Sequence, residues 1–198
     1  MRMNTKTINF QGKNGVFSIQ AGDITKTKAD VIVCPSNPRL EAGFGISGAI
    51  YRYGGAEIFK EAELLVEKRV IEKGVDPDYA MQEGSAHFTT AGNLAAKYVS
   101  HVVCTTASKE KGMYSTKEMI VDSVINTLKE ADKRNQTSVA LPLLGTGFGR
   151  LDTITAASAI ASASVGYLDN QAKSVKEVIL VVLENAFEIA KQVVILRN

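Results

Sequence analysis

Apolar residues along the chain follow two rhythms. Short runs rich in β-branched and other apolar residues occupy 30–34, 138–144 and 177–183. Runs of that length and kind predict strands covered on both faces. Elsewhere the apolar positions recur at helical spacing. Ile120, Val124, Leu128 and Ala131 share one face, and Ser115-Thr116-Lys117-Glu118 just before them has the form of a capping box. Further helices are expected over 47–53, 56–71, 152–168 and 186–196, with Gly54-Gly55 separating the first two and Gly74 closing the second. Residues 7–10 and 16–20 flank Gln11-Gly12-Lys13-Asn14-Gly15, a hairpin signal, and 85–90 and 98–105 add two more strands. Strands alternating with helices predict an α/β sandwich, whose sheet is mixed because the opening hairpin is antiparallel.

Composition narrows this picture without changing it. A chain of 198 residues with no linker or repeat predicts one domain. At 45% hydrophobic and 22% charged residues, neither disorder nor a coiled coil fits. The net charge of +2 is spread along the chain, and a nucleic-acid footprint requires a clustered basic face. The longest apolar run, 178–183, falls far short of the roughly 20 residues of a membrane span. Residues 1–10 are polar and lack the apolar stretch of a signal peptide. The expected location is therefore cytoplasmic. Cys34 and Cys104 sit inside apolar runs, where a free thiol acts as a small hydrophobe. His101 with Cys104 would leave a four-ligand zinc shell half empty, so no metal is expected.

In open α/β sheets, ligands bind beyond the carboxyl ends of the strands. Two such exits are Gly-rich and lead into helices. One runs from Pro35 through Asn37, Glu41 and Gly43-Phe44-Gly45-Ile46-Ser47-Gly48, and the other is Gly145-Thr146-Gly147-Phe148-Gly149. Glycines let backbone N–H groups turn toward an anion, and the helix that follows adds its positive end. Either loop alone is equally well read as a tight turn. Together at one sheet edge they suit a ligand with two linked phosphates. Residues 43–48 also match G-x-G-x-x-G, but eight residues separate them from Cys34, and a helix stands where a second strand should end in an acidic residue. Glu61, Glu63 and Glu67 on that helix read as solvated charge.

Gly22-Asp23-Ile24-Thr25, Ala29-Asp30-Val31-Ile32-Val33, Asn37, residues 43–50 and Leu141-Pro142-Leu143-Leu144 with the second Gly-rich loop resemble the macrodomain family in order and spacing. The likeness runs from about Val16 to the carboxyl end. It implies a three-layer α/β/α sandwich with a central mixed sheet, as a single macrodomain over 1–198. It implies binding of ADP-ribose, or of terminal ADP-ribosyl groups on proteins, in a cleft above the sheet, with no cofactor and no metal. Nucleic acid is expected only as an ADP-ribosylated substrate.

By this resemblance, Asp23 matches the acceptor for the adenine amino group and Ile24 its neighbour beside the ring. Asn37 matches the residue at the distal ribose, where it would orient the sugar for catalysis. Gly43, Gly45, Ile46 and Ser47 match the first phosphate loop. Gly145, Thr146, Gly147, Phe148 and Gly149 match the second, with Phe148 against the distal ribose. Asn185 or Phe187 would stand where relatives stack an aromatic on the adenine. Strongly hydrolytic members carry an Asp where this chain has Ser47, whose neutral hydroxyl cannot take a proton from water as a carboxylate does. Phe44 interrupts the family's run of glycines, and Glu41 is the one carboxylate in the first loop. Turnover therefore stays open: metal-free hydrolysis of mono-ADP-ribosyl or acetyl-ADP-ribose linkages, a non-catalytic reader, or a protein for another NAD-derived nucleotide.

Several of these residues have plainer readings. Asp23 and Asn37 both favour local turns. His87 and His101 read as satisfied interior histidines, Tyr51-Arg52-Tyr53 as a helix face, and a Cys34–His101 nucleophilic pair would require the two side by side.

Overall fold

The computed structural model describes residues 6–195. An opening hairpin of β1 (Thr7–Gln11) and β2 (Val16–Ala21) is followed by β3 (Val31–Ser36), α1 (Gly45–Gly54) and α2 (Glu57–Lys73). Next come β4 (Ala86–Thr90), β5 (Tyr98–Val103), the short β6 (Thr106–Ser108) and β7 (Gly112–Tyr114), and α3 (Lys117–Lys133). The chain ends with β8 (Ser138–Pro142), α4 (Thr153–Asn170), β9 (Glu177–Val182) and α5 (Glu184–Ile195). Leu196, the last residue of the predicted final helix, lies outside the described residues, as do residues 1–5.

Seven strands form one sheet in the order β1-β2-β9-β8-β3-β5-β4. The five inner strands are parallel, and β1 and β4 pair antiparallel at the two edges. The sheet is mixed as expected, with a second antiparallel edge that local periodicity could not reveal. Successive residues alternate between two cores. Val31, Val33, Val139, Leu141, Val178 and Leu180 pack against α3, α4 and α5. Ile32, Cys34, Ala140, Ile179 and Val181 pack on the other face, where Ile50 of α1 and Ile58 and Phe59 of α2 cover them. Covered on both faces, these strands lose the polar alternation of an exposed sheet.

Two buried or half-buried carboxylates pin the frame. Asp132, near the end of α3, accepts hydrogen bonds from Tyr167 Oη (2.7 Å), Ser174 N (2.7 Å), Ser174 Oγ (2.9 Å), Val175 N (2.9 Å) and Lys173 N (3.0 Å). It joins α3 and α4 to the approach of β9. Burial alone would raise its pKa, but donors from Val175, Tyr167, Lys173 and Ser174 outweigh burial and hold it at about 2. At the amino end of β3, Asp30 Oδ2 accepts from Thr137 N and Oγ1, both at 2.7 Å, while Oδ1 pairs with Lys97 Nζ at 2.9 Å. Its pKa is likewise held at about 2 against the opposing effect of burial.

Local starts and stops differ in instructive ways from the predicted ones. The cap of α3 is Thr116, whose Oγ1 accepts from Met119 N at 3.2 Å. Ser115, the expected cap, instead donates its hydroxyl to the Cys104 carbonyl at 2.6 Å. Three of the predicted strands overshoot the observed ones. Thr105, Leu143, Leu144 and Leu183 all lie beyond the last paired residue, at the carboxyl edge.

His101 on β5 is fully buried. Its Nε2 lies 3.0 Å from Thr89 Oγ1, the Phe59 ring meets it edge-on at 5.3 Å, and Nδ1 has no partner among the described residues. The expectation of a satisfied interior histidine holds for one ring nitrogen only. Burial, then neighbouring His87, lowers the His101 pKa to about 3. His87, with Nε2 2.8 Å from Ser85 Oγ, is lowered to about 4 by burial and Arg69.

Both histidines are thus neutral in the fold and protonate near pH 6.5 once unfolded. Below that pH the unfolded chain binds more protons. Stability present at pH 7 is expected to fall as the pH drops from 6.5 toward 4 and 3, by up to about 1.4 kcal/mol per pH unit per histidine. Urea unfolding at pH 7, 6 and 5 checks this. A midpoint that stays constant over that range contradicts it.

Candidate functional site

The pairing of β3 with β8 stops after Val31–Val139 and Ile32–Ala140, whereas β3 and β5 stay in register for six residues. Beyond Ile32 the two neighbours part. The chain leaving β3 enters α1 on one face of the sheet, and the chain leaving β8 enters α4 on the other. Connections that diverge from adjacent parallel strands leave a crevice at the carboxyl edge. The exits of β2 (Gly22-Asp23) and β9 (Leu183) extend that edge to one side.

On one wall of the crevice is the loop after β8. Its carbonyls point into the protein: Gly145 O accepts from Leu151 N, Gly147 O from Arg150 N and Gly149 O from Ser115 N, all at 2.9–3.0 Å. The N–H groups of Thr146, Gly147, Phe148 and Gly149 donate to no acceptor among the described residues. Ser115 explains why the outer glycines are required. A Cβ on Gly149 would stand 1.8 Å from Ser115 Oγ and 2.7 Å from the Gly145 carbonyl, and Gly145 itself has φ +76°. Gly147 has nothing within 4 Å of where a Cβ would go.

The opposite wall is the start of α1. Its N-cap is Phe44, whose ring cannot accept a hydrogen bond, so the first-turn N–H groups of Gly45, Ile46 and Ser47 find no side-chain cap. Ser47, buried, accepts from Gly43 N at 3.0 Å and donates to Phe44 O at 3.3 Å. Its hydroxyl therefore holds the loop closed, and the Gly43 N–H is turned inward. Ile46 is half-buried against the α1 layer. Phe44 (84% exposed) and Phe148 (57%) stand on the two walls in solvent. Two sets of unpaired backbone N–H groups facing one crevice, one at a helix start, can hold an anion with two charged groups.

Asn37 and Glu41 are bound to one another in the loop before α1. Asn37 Oδ1 accepts from Arg39 N (3.0 Å) and Glu41 N (3.3 Å), and its Nδ2 donates to Glu41 Oε2 (3.3 Å). Arg39 holds Glu41 Oε1 at 2.7 Å and Asp78 at 2.9 Å. Asp23 caps the 3-10 turn Ile24–Lys26, with Oδ1 accepting from Thr25 N (3.0 Å) and Oγ1 (2.7 Å). Its Oδ2 meets only Lys26, at 3.8 Å. The turn reading of both residues is therefore realised, and for Asp23 it leaves one oxygen with no hydrogen bond and only the distant Lys26 ammonium beside it.

Four expectations change. Phe187 is buried in the core with Phe17 and Val182, so its ring is unavailable for stacking, while Asn185 is exposed in the first turn of α5. Ile24 is buried against α1, which leaves only its backbone to the cleft. Leu183, expected inside the last strand, is 70% exposed between Asp23 and α5, an apolar surface that the unbroken run from Val178 conceals. Glu61, expected as solvated charge, accepts from Thr90 N and Oγ1 at 2.8 Å each. Cys34 and His101 do lie opposite one another in register. Burial pushes the thiol up to about 12 and the imidazole down to about 3, the reverse of what an activated thiolate requires. Among the described residues, no group of three or more His, Cys, Asp or Glu could hold a metal ion.

A mixed sheet between two helical layers, with a crevice of unpaired amides at its carboxyl edge, is an α/β architecture that can accept an anion. Residues 33–160 match the family model of the Macro domain, and the chain belongs to the macrodomain family. It is 33% identical over 157 residues to a macro domain-containing protein of Caldanaerobacter subterraneus subsp. tengcongensis, covering 79% of this chain and 82% of that one. It is 31% identical over 134 residues to an O-acetyl-ADP-ribose deacetylase of Cronobacter turicensis, covering 68% and 70%. A longer Thermotoga maritima protein is 34% identical over 142 residues, which make up 22% of its length. The fold matches the Oceanobacillus iheyensis macrodomain with ADP at a TM-score of 0.83, with 22% identity over 98% of both chains. It matches the Trypanosoma brucei macrodomain in complex with ADP-ribose at 0.72, with 19% identity over 89% of this chain and 68% of that one.

The glycines of the second loop make a test that needs no ligand. Gly149→Ala is expected to lose about 2 kcal/mol or more from overpacking against Ser115. Gly147→Ala, in open space, is expected to stay within about 0.5 kcal/mol of the parent. Denaturant unfolding measures both, and equal losses would contradict the packing described.

Proposed function

We propose that the chain is a single macrodomain, residues 1–198, that binds ADP-ribose, free or as a terminal group on a protein. The observation that carries this is the pair of facing amide sets, Gly45 to Ser47 and Thr146 to Gly149, at the crevice between β3 and β8. Two phosphates in a row match two walls of donors. The family and the relatives named O-acetyl-ADP-ribose deacetylase support the choice of nucleotide.

In this reading the adenine lies toward β2, where Asp23 Oδ2 accepts from its amino group and the exposed Leu183 and Asn185 flank the ring. The distal ribose lies toward Asn37, with Phe148 and Phe44 over the walls. Catalysis is the weaker half of the proposal. Ser47 is engaged by Gly43 and Phe44, and Glu41 is paired with Arg39 and Asn37, so neither is an unengaged base. Those bonds favour a second reading, a reader that holds ADP-ribosylated proteins with little turnover. Single-turnover release of ADP-ribose from a modified protein separates the two. The cytoplasm is part of the proposal: Cys34 and Cys104 are free thiols in opposite cores, which suits a reducing compartment.

Gly147→Glu places a carboxylate among the phosphate donors at a position with room for it. It is expected to weaken ADP-ribose binding at least about 100-fold, some 2.7 kcal/mol, while the melting temperature holds. Calorimetry with a ligand-free melting curve reads both quantities. Parental affinity in a folded variant would refute the two-wall site.

Asp23→Asn keeps an acceptor for the Thr25 cap and removes the carboxylate from the adenine. Affinity is expected to fall about 10- to 150-fold, the range for a lost bond to a charged group. An analogue with hypoxanthine in place of adenine, whose O6 accepts a hydrogen bond, should show no such loss and bind the variant, through the Asn Nδ2–H, at least as tightly as the parent. A similar loss for both bases would place the effect in the turn instead.

A further inference from the structure

A cavity of about 560 Å³ lies outside the crevice. It runs between α2 and the loop after β3, directly beyond Asn37, and Arg39 to Ala42 form one of its sides. Its floor is apolar: Leu40, Phe59 and Val66 are all buried and present carbon to the groove. Its rim is acidic. Arg39 contributes a positive charge, but Glu41 and Asp78 already engage it at 2.7 and 2.9 Å. Glu63 and Glu67 stand one helical turn apart on the α2 side. Both are exposed, and neither makes an ion pair with any described residue. Like charges at i and i+4 repel one another and weaken a helix. A protein of net charge +2 therefore keeps an unneutralised acidic groove next to a site built for an anion.

We propose that this groove receives the basic segment that flanks the modified residue of an ADP-ribosylated protein. The inference rests on the ADP-ribose reading, because it takes its direction from the distal ribose lying at Asn37. A protein chain attached to that sugar leaves the crevice across the same loop, 39–42, that walls the groove. Lys and Arg side chains fit what they would meet: aliphatic stems along Leu40, Phe59 and Val66, cationic heads at Glu63 and Glu67. The same carboxylates repel a phosphate backbone, so the groove selects a protein carrier over an ADP-ribosylated nucleic acid.

The test uses one peptide carrying a hydrolysis-resistant ADP-ribosyl group, made with Lys/Arg flanks and again with neutral flanks. Free ADP-ribose serves as the reference. The parent chain is compared with E63K/E67K and with the milder E63Q/E67Q, both on an exposed helix face, after a melting curve has shown each to be folded. The parent is expected to prefer the basic-flanked peptide by about fivefold or more at low salt, with the preference shrinking as salt screens it. E63Q/E67Q should reduce the preference and E63K/E67K abolish or reverse it, both leaving free ADP-ribose affinity within about twofold because neither position touches the crevice. If the parent binds both peptides alike, or if E63K/E67K keeps the preference, the groove proposal is overturned while ADP-ribose binding stands. If the parent binds none of the three ligands, the ADP-ribose reading itself fails and the groove proposal fails with it.

Discussion

Two neighbouring parallel strands, β3 and β8, pair at two positions near their amino ends and then diverge, and the candidate site depends on that divergence. Had they stayed paired to their ends, the loops beyond them would lie side by side with their amides spent on one another. Because the chain leaves β3 toward α1 and β8 toward α4, on opposite faces, the ends separate and two rows of N–H groups face across a gap. The amino ends of the same strands are handled in the opposite way. There Asp30 draws in Thr137 and Lys97 and clamps β3 to its neighbours. The sheet is closed at its amino edge by charged hydrogen bonds and open at its carboxyl edge, where unpaired donors await a partner.

Unpaired donors at an exposed edge carry a modest cost, since water can meet them, and the surroundings hold them in place. Ser115 supports the second loop from beneath, through the Gly149 carbonyl and its own bond to Cys104. Ser47 does the same for the first loop through Gly43 and Phe44. Ser115 holds its loop through its backbone N–H, whereas Ser47 uses its hydroxyl, so a position that would suit a proton-transferring carboxylate serves this chain as a brace. The geometry thus argues for binding more strongly than for turnover.

Much of this was legible in the residues and some was not, for physical reasons. Strands buried on both faces announce themselves as β-branched runs, so β3, β8 and β9 were readable in that way, and β5 as a strand without its burial. The two Gly-rich exits were readable because few residues other than glycine tolerate those turns. The ends of the runs were not. Leu143, Leu144 and Leu183 are apolar yet lie past the ladder, and apolar character alone does not tell a strand residue from an edge residue beside it. Phe187 was misplaced for the related reason that an aromatic just past a strand serves a core and a base-stacking site equally well. The β6–β7 hairpin, at three residues per strand, is too short to show a period. Asp132 binds donors 35 to 43 positions away, a relation absent from any local window. The acidic groove was half visible: Glu63 and Glu67 could be placed on an exposed helix face, but only the folded chain brings Leu40 and Glu41 opposite them.

The central claim is that unpaired backbone amides on the two walls of the crevice hold the diphosphate of ADP-ribose. Following backbone amide resonances of isotope-labelled protein during an ADP-ribose titration tests it most directly. The largest shifts are expected on Gly45, Ile46 and Ser47 on one wall and on Thr146, Gly147, Phe148 and Gly149 on the other. Saturable binding that leaves those seven amides unmoved would contradict it.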